Sequence, residues 1–380
     1  MLSPAELSRY SRHLTLPSFQ REGQQRLKAA KVLVVGAGGL GAPLLSYLVA
    51  AGVGTVGVVD FDVVDPSNLQ RQVLFTEDDV GQLKVTVAIE RLRRQNPHVE
   101  LHAYRTRLTS DNALDIIRDY DIVADGTDNF ATRYLVNDAC VLLDKVNVYA
   151  SIFRFEGQVS VFNHANAAGE RGPNYRDLFP EPPPPGLVPN CAEGGVLGVL
   201  PGIVGSLQAN EVLKVASGVG EPLSGQLFLF DAPTLQTRTI ALRRRPDNPL
   251  NGTHPTQTSL IDYEQFCGTT AKELPPVKEM SVHELHRRRR AQEDLQLVDV
   301  REPYEYEIAN LGGTLLPLGQ MDQWMDRVAA DRPVVVHCRS GGRSERAVRR
   351  LTERGFNNVY NLRGGILAWA DEIDERIAKY

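Results

Sequence analysis

The chain has 380 residues, of which 42% are hydrophobic and 23% are charged, and its formal net charge is −5. This composition is ordinary for a globular protein with room for two or three domains, and the acidic balance argues against nucleic acid as the main partner. We find no apolar run long enough to cross a membrane and no secretory signal, so we expect neither insertion nor secretion. The four cysteines are too few for a disulfide framework. Such a low cysteine count is typical of the reducing cytoplasm, where cysteine serves as a thiol.

The first part of the chain alternates strand and helix patterns. Lys31–Val35 is a β-branched run that ends in glycines, and a second strand follows at Thr55–Asp60. Further strands are predicted over residues 99–104 and 121–125, and helices over residues 42–51, 84–95, 112–118 and 131–143. This alternation predicts a doubly wound, Rossmann-like α/β fold with a mostly parallel sheet.

The pattern changes from Ser151 onward. Residues 152–162, 226–230 and 237–242 alternate apolar and polar side chains, which predicts antiparallel strands appended to the parallel sheet. Residues 171–190 are too rich in proline for regular structure and are predicted to be a long loop, with a helix over 204–216 beyond it. The predicted organisation is an N-terminal domain of residues 1–245, a linker of residues 246–277 and a small C-terminal α/β domain of residues 278–380, whose core strands are 295–300 and 333–337.

A glycine-rich turn follows the first strand and consists of Gly36, Gly38, Gly39 and Gly41. Side chains there would keep the backbone away from phosphates, and the free N–H groups at the next helix start favour anions. Asp60, at the end of the second strand, is placed to hydrogen-bond a ribose hydroxyl. Alone, this fingerprint is most typical of an enzyme that binds nicotinamide or flavin.

The next segment favours a different nucleotide. Asn68, Arg71 and Lys84 are predicted to converge on a triphosphate, because nucleotidyl transfer develops charge on phosphate oxygens and dinucleotide binding does not need so many phosphate-directed groups. Asp128 follows another strand end, where a Mg²⁺ ligand belongs. The alternative for Asp128 is a helix N-cap.

The motifs that carry a family resemblance are Arg9–His13, Gly36–Gly41, Asp60–Asp62, Ser67–Gln72, Gly81–Lys84, Thr127–Asn129 and Cys191–Gly195. In this order they make residues 1–268 resemble the MoeB/ThiF family, the bacterial relatives of ubiquitin-activating enzymes. The resemblance implies that ATP and Mg²⁺ are used to adenylate the C-terminal glycine of a small ubiquitin-like protein. It implies a nucleotide-binding set of Gly36, Gly38, Gly39, Gly41, Asp60, Asp62, Ser67, Asn68, Leu69, Gln70, Arg71, Lys84, Asp128 and Asn129, with Asp128 holding Mg²⁺.

The same resemblance implies a homodimer. In this family the second arginine of the Arg-x-x-Arg start reaches the ATP of the partner subunit, so Arg12 is a candidate catalytic residue that acts in trans. Without the resemblance, Arg12 is a surface charge on an N-terminal helix.

A structural zinc is common in this family, where two Cys-x-x-Cys pairs hold it. In this chain the corresponding positions are Asn174, Asp177, Asn248 and Asn251. Asparagine is a poor Zn²⁺ ligand and one aspartate binds it weakly, so we predict that structural zinc is absent and that packing replaces it.

Three of the four cysteines, Cys140, Cys191 and Cys267, precede the predicted C-terminal domain. Cys191 precedes a predicted helix, where a thiol pKa can be lowered, and in some relatives the matching cysteine is linked covalently to the carrier protein. Cys191 is therefore a candidate catalytic residue. Cys140 and Cys267 are predicted to be structural.

Cys338 ends a predicted strand and begins the loop Arg339, Ser340, Gly341, Gly342 and Arg343. A cup of backbone N–H groups and the two arginines would stabilise a thiolate or persulfide. Residues 278–380 resemble a rhodanese domain, supported by Leu297–Glu302 and Leu362–Trp369. The rival is a cysteine phosphatase, but its loop is one residue longer, and the tighter loop here suits a sulfur atom better than a phosphate.

Together the two halves predict an adenylyltransferase and sulfurtransferase, similar to fused MoeB–rhodanese proteins. ATP would activate a MoaD/ThiS-like sulfur carrier that ends in Gly-Gly. A persulfide on Cys338, loaded from thiosulfate or by a cysteine desulfurase, would then attack the acyl-adenylate, and Cys191 would free the thiocarboxylate. The product would enter molybdopterin (molybdenum cofactor), thiamin, cysteine or tRNA thiolation pathways. The alternatives are a nicotinamide-dependent oxidoreductase with a rhodanese appendage and a non-enzymatic scaffold for carrier proteins.

Overall fold

The structure is a computed structural model and describes residues 1–183, 195–268 and 276–380. The chain divides into two compact units, unit 1 over Met1–Ala271 and unit 2 over Lys272–Tyr380. Among the described helices, none is both long and apolar enough to cross a membrane.

Unit 1 is built on one large mixed sheet. The strands in its described part are β1 (Lys31–Val35), β2 (Thr55–Val59), β3 (Glu100–Tyr104), β4 (Ile122–Asp125), β5 (Val146–Phe153), β6 (Glu156–Phe162), β7 (Gln226–Asp231) and β8 (Gln236–Ala241). They lie in the order β3-β2-β1-β4-β5-β6-β7-β8. The strands from β3 to β5 are parallel, and β6, β7 and β8 pair in antiparallel fashion. The predicted doubly wound fold with appended antiparallel strands is confirmed.

Helices cover this sheet. Those described are α1 (Pro4–Arg9), α2 (Ser11–Leu14), α3 (Gln20–Ala29), α4 (Gly41–Ala51), α5 (Lys84–Gln95), α6 (Ala113–Arg118), α7 (Phe130–Leu142), α8 (Tyr175–Leu178), α9 (Leu200–Ser217) and α10 (Tyr263–Phe266). Short 3₁₀ turns occur at Pro66–Asn68 and Glu77–Asp79.

The core of unit 1 has two layers because successive side chains of a strand point to opposite faces. Val32 and Val34 of β1 pack with α4 and α9 on one face. Leu33 and Val35 pack with α6 and α7 on the other face. Buried on both sides, β1 is a continuous apolar run, as expected for a central parallel strand.

The connections on either side of β1 position the first site. β1 lies between β2 and β4, and this is the point where the order of parallel strands reverses. In doubly wound sheets the crevice at the carboxyl ends of the strands around such a point is the usual place for a ligand. The glycine turn after β1 and Gly126 after β4 both lie at this edge.

Two segments differ from their sequence-based predictions. The proline-rich segment, predicted to lack regular structure, contains α8, which Asn174 and Asp177 cap with reciprocal hydrogen bonds. Residues 246–268 are not a free linker but pack onto unit 1, where Leu250 and Tyr263 are buried. The Tyr263 hydroxyl donates a 2.8 Å hydrogen bond to the buried carboxylate of Asp138, and a contact of this kind is invisible in composition.

Unit 2 is a smaller α/β unit. Its described strands are β9 (Glu279–Met280), β10 (Gln296–Asp299), β11 (Thr314–Leu315), β12 (Val334–His337) and β13 (Val359–Leu362), and its helices are α11 (Val282–Arg290), α12 (Pro303–Ile308), α13 (Met321–Trp324), α14 (Gly342–Glu353) and α15 (Gly365–Glu372), with 3₁₀ turns at Leu318–Gln320 and Met325–Arg327. The strand order is β11-β10-β12-β13-β9, with all pairs parallel. Cys338 directly follows the central strand β12.

Candidate functional site

The glycine turn of unit 1 passes close to the neighbouring strand end. A Cβ atom on residue 36 would lie 3.2 Å from the carbonyl oxygen of Gly126, and φ of Gly36 is +94°. A Cβ atom on Gly41 would lie 2.0 Å from the carbonyl oxygen of Gly36, which no side chain tolerates. Glycine is therefore required at both positions to close the turn at the start of α4.

Asp60 braces this turn from β2. One of its carboxylate oxygens accepts a 2.7 Å hydrogen bond from the Ala37 backbone N–H, and the other accepts one of 2.8 Å from Asp62. Burial raises the pKa of Asp60, and these two hydrogen bonds oppose the rise. Asp60 thus organises the loop itself, a contribution that the sequence interpretation did not include.

The cations predicted to meet a nucleotide lie around the same turn. Lys84 is buried at the start of α5, and its Nζ lies 3.2 Å from an oxygen of the exposed Asp62 carboxylate. The Arg71 guanidinium donates a 2.9 Å hydrogen bond to the Ser67 carbonyl. The Cγ of Arg71 lies 3.8 Å from the position that a Cβ atom on residue 39 would occupy. The chain thus brings Arg71 to the glycine turn and links Lys84 to Asp60 through Asp62.

Four more members of the predicted nucleotide-binding set lie in the segment that leads to Arg71. Ser67 and Asn68 belong to the turn Pro66–Asn68, which Asp65 caps, and Leu69 and Gln70 continue it toward Arg71. The side-chain nitrogen of Gln72 lies 3.6 Å from the Cβ position of Gly38. Gln72 is therefore a neighbour of the glycine turn that sequence reasoning missed.

The turn after β4 carries Asp128. The residue that caps α7 is Asn129, whose side-chain oxygen accepts a 2.9 Å hydrogen bond from Thr132. The N-cap alternative therefore belongs to Asn129, and Asp128 is exposed at the carboxyl edge of the sheet. An exposed carboxylate at this edge fits a Mg²⁺ ligand, since Mg²⁺ prefers one or two carboxylates together with phosphate oxygens.

Arg12 is exposed on α2 and lies apart from the glycine turn. It lines a cavity of about 200 Å³ together with Arg9, Tyr10, His13 and Tyr47. None of the predicted nucleotide-binding residues lines this cavity. Within one chain, therefore, the structure does not bring Arg12 to the nucleotide residues.

The four positions that the family resemblance relates to zinc ligands, Asn174, Asp177, Asn248 and Asn251, come together. The side-chain amide of Asn174 donates a 3.0 Å hydrogen bond to the side chain of Asn251, and that of Asn248 donates one of 2.7 Å to the Asp177 carboxylate. Among the described residues, no group of three or more His, Cys, Asp or Glu side chains is arranged to hold a metal ion. Amide and carboxylate hydrogen bonds connect the two segments here.

Cys338 is buried in unit 2, with 1% of its surface exposed. Its Sγ accepts a 3.1 Å hydrogen bond from the Gly341 backbone N–H and lies 3.4 Å from the Ser344 hydroxyl. The positive φ of Gly341, +104°, turns that N–H toward the sulfur. Ser344 lies in the first turn of α14, and its contact with the sulfur was not predicted from the sequence.

The two loop arginines are engaged by other groups. Arg343 pairs with both carboxylate oxygens of Glu305, at 2.6 and 2.7 Å. Arg339 donates to the Tyr380 backbone oxygen and lies over the ring of that tyrosine. Among the described residues, the groups that donate hydrogen bonds to Sγ are Gly341 and Ser344. That the two arginines stabilise a thiolate or persulfide stays a prediction.

Buried charged side chains lie beside β12, the strand that Cys338 follows. Arg301 is fully buried and pairs with Asp299 and with the Ala309 carbonyl, 2.7 Å away. His337 is also buried, and neither ring nitrogen has a hydrogen-bond partner among the described residues. Burial lowers the pKa of His337 to about 4, so the ring is neutral at physiological pH.

The other cysteines divide clearly. Cys140 is buried in the core, and burial raises its pKa well above the ordinary value. Burial likewise raises the pKa of Cys267 to about 11. Both therefore remain protonated, as predicted for structural thiols. Cys191 lies outside the described residues.

These observations describe a two-unit α/β protein whose first unit carries a glycine-rich turn with cations beside it and whose second unit carries a buried thiol in a loop. Residues 10–251 match the ThiF family, and residues 281–372 match the rhodanese-like domain. The chain therefore belongs to the ThiF family and carries a rhodanese-like domain; it is an adenylyltransferase and sulfurtransferase.

Among its curated relatives, two span the whole of this chain and a third spans about two-thirds of it. The chain is 46% identical over 385 residues, spanning 100% of this chain and 96% of the relative, to "Probable adenylyltransferase/sulfurtransferase MoeZ" of Mycobacterium tuberculosis. It is 45% identical to "Adenylyltransferase and sulfurtransferase MOCS3" of Mus musculus, spanning 100% of this chain and 88% of the relative. It is 59% identical to "Sulfur carrier protein adenylyltransferase" of Thermus thermophilus, spanning 69% of this chain and 97% of the relative.

Solved structures support the fold of unit 1. MccB of E. coli matches with a TM-score of 0.57 and 23% identity, over 66% of this chain and 75% of MccB. At this identity the likeness concerns the fold alone.

Proposed function

We propose that unit 1 uses Mg²⁺·ATP to adenylate the C-terminal glycine of a ubiquitin-like sulfur carrier, and that unit 2 supplies sulfur from a persulfide on Cys338. The observation that carries the first step is the glycine turn, braced by Asp60 and flanked by Arg71, Asp62 and Lys84. The name of the Thermus thermophilus relative, a sulfur carrier protein adenylyltransferase, supports this choice of partner.

The first step needs charge neutralisation more than proton transfer. The carrier carboxylate is already ionised, so its oxygen attacks the α-phosphorus directly, and the bond to the bridging oxygen breaks as pyrophosphate leaves. Arg71 and Lys84 are assigned to the phosphates, and Asp128 to the Mg²⁺. Bound Mg²⁺ would neutralise the charge that develops on the leaving pyrophosphate. Alignment of the two reactants supplies much of the rate.

The buried position of Lys84 supports this assignment. A cation held near 3.2 Å from one carboxylate, with little water around it, interacts more strongly with an incoming phosphate than an exposed cation would. Asp62 is half exposed, so it can release Lys84 when phosphate arrives. The nicotinamide alternative leaves Arg71 and Lys84 without a role.

The second step transfers sulfur. The terminal sulfur of the Cys338 persulfide attacks the acyl carbon, and AMP leaves with the bonding electron pair. The acyl disulfide that results is attacked at Cys338 Sγ by a second thiolate, for which Cys191 is the candidate. Its S–S bond breaks and releases the thiocarboxylate, and the disulfide left on the enzyme requires a thiol reductant for the next cycle. Gly341 and Ser344 donate hydrogen bonds to the sulfur in this scheme.

The proposal has three further parts. The sulfur donor is thiosulfate or a cysteine desulfurase, the enzyme works in the cytoplasm, and its site is completed in a homodimer by Arg12 of the second copy. The exposure of Arg12 on α2, away from the glycine turn of its own chain, supports action in trans. Structural zinc plays no part, because asparagines occupy three of the four ligand positions.

ATP–pyrophosphate exchange with and without a carrier ending in Gly-Gly tests the proposal. We expect exchange that depends on the carrier, survives Cys338→Ala and disappears in Asp128→Ala. Absence of exchange with every such carrier would contradict adenylation and return attention to nicotinamide binding.

A further inference from the structure

We infer that Thr127, held between Asp125 and Arg133, is the positioning residue that orients Asp128 toward Mg²⁺·ATP. The inference rests on the proposed function, since it concerns the nucleotide site of unit 1. It assigns a role to three residues next to Asp128 that the sequence analysis left without one.

Asp125, the last residue of β4, fixes one side of Thr127 by hydrogen bonds. A single carboxylate oxygen of Asp125 accepts hydrogen bonds from both the backbone N–H and the hydroxyl of Thr127, at 2.9 and 2.6 Å. Asp125 is 1% exposed and is fixed in the sheet between Val35 of β1 and Tyr149 of β5. It therefore provides a rigid anchor.

Arg133, on the first turns of α7, holds the other end of the same residue. Its guanidinium donates a 3.1 Å hydrogen bond to the Thr127 carbonyl. The guanidinium lies 5.6 Å from the ring centre of Phe130 and 5.9 Å from that of Tyr149, and such packing restricts its rotation. The N–H, hydroxyl and carbonyl of Thr127 are thus all fixed, which leaves little freedom for the backbone of Asp128.

The turn between β4 and α7 does not need two buried charged side chains, Asp125 and Arg133, for its own stability. Asn129 already caps α7, so Asp125 and Arg133 are not needed to start the helix. Within the described residues, the second carboxylate oxygen of Asp125 and the Nε of Arg133 have no hydrogen-bond partner. Burying charged groups with unfilled hydrogen-bonding capacity is unfavourable. An unfavourable buried pair beside an exposed Asp128 indicates a role in orienting that carboxylate.

Calorimetric titration of the full chain with a non-hydrolysable ATP analogue, at a series of Mg²⁺ concentrations, tests the inference. Thr127→Val keeps the shape and removes the hydroxyl. We expect its affinity for the Mg²⁺-bound analogue to fall about tenfold, while its affinity for the metal-free analogue changes less than about twofold. Thr127→Ser, which keeps the hydroxyl, restores the response to Mg²⁺, and Arg133→Lys retains more of it than Arg133→Met.

Thr55→Val is the matched control, because it removes a buried threonine hydroxyl at the first residue of β2, at the end of the strands away from the glycine turn. Thermal unfolding of each variant checks that the fold is retained. Unchanged Mg²⁺ dependence in Thr127→Val, or equal losses with and without Mg²⁺, would overturn the inference while the proposed function stands. A wild-type chain that binds no nucleotide would instead contradict the proposed function, and the inference with it.

Discussion

The side-chain amide of Asn174 donates a hydrogen bond to the side chain of Asn251, 77 residues further along the chain. Asn248 and Asp177 make the second link between the same two segments. Asn174 and Asn248 are buried, so these bonds are shielded from competing water. At the positions where the family resemblance implies metal ligands, this chain joins α8 to residues 245–251 with amides and a carboxylate.

We therefore predict that the purified chain contains well under one zinc ion per molecule and that a chelator leaves its melting temperature unchanged. Asn248→Ala should lower the free energy of unfolding of unit 1 by about 1–3 kcal/mol, because it removes the bond to Asp177 and leaves the buried Leu250 N–H without its acceptor. Gln236→Ala, on the exposed strand β8, is the control and should have little effect. Stoichiometric zinc, or melting that falls on chelation, would contradict this account.

The pairing of Glu305 with Arg343 leads to a prediction about sulfur transfer. Glu305→Gln removes the charge that holds Arg343 at two points, so the loop around Cys338 loses its geometry. We expect the rate of sulfur transfer from thiosulfate to cyanide to fall about tenfold or more, by analogy with the loss of a group that orients a ligand. ATP–pyrophosphate exchange should be unchanged.

Glu345→Gln is the matched control for this prediction, since Glu345 pairs with Arg349 on the surface of α14. It should leave sulfur transfer nearly as fast as in the wild type. Equal rates in both variants would show that the Glu305 pair does not support the loop.

His337 makes the stability of unit 2 depend on pH. Its pKa is about 4 in the fold, whereas 6.5 is the ordinary value, so the unfolded chain binds the proton more readily than the folded one. Stability is therefore full above pH 6.5 and falls as the pH decreases toward 4, by roughly 3 kcal/mol at about 1.4 kcal/mol per pKa unit. Urea unfolding followed by tryptophan fluorescence measures this, since both tryptophans, Trp324 and Trp369, lie in unit 2.

His337→Gln should flatten this pH dependence between 4 and 6.5. His283→Gln removes an exposed histidine of α11 and should leave the dependence in place. Glu305 acts in the same direction at lower pH: burial alone would raise its pKa, but Arg343 holds the pKa below 4.5, so its contribution is lost as the pH falls below that value. A flat profile in the wild type would show that His337 charges freely in the fold.

Gly41→Ala should weaken nucleotide binding. Its methyl group would lie 2.0 Å from the carbonyl oxygen of Gly36, so the turn must open and the phosphates lose their backbone donors. We expect the affinity for an ATP analogue to fall by at least about tenfold, while tryptophan fluorescence shows unit 2 intact. Gly202→Ala on α9 meets no atom within 4 Å and is the control; wild-type binding by Gly41→Ala would contradict the close approach seen here.

Parts of the site were predictable because their requirements are local. The glycine turn, Asp60 and Cys338 each stand at a fixed place after a strand, and the structure puts them there. The segment of residues 246–268 was mistaken for a linker, because proline and asparagine content describes backbone tendency and not packing. Its anchors, such as Tyr263 on Asp138, join positions 125 residues apart.

The amino-acid sequence by itself determined the order of strands and helices, the glycine turn and the place of the reactive thiol. Hydrophobic periodicity and the space left by a missing side chain act over a few neighbouring residues. Only the tertiary structure decided that Arg343 pairs with Glu305, that Asn129 rather than Asp128 caps α7, and that Thr127 is held from both sides. Such choices depend on which distant groups burial brings within about 3 Å, where water no longer competes for the hydrogen bond.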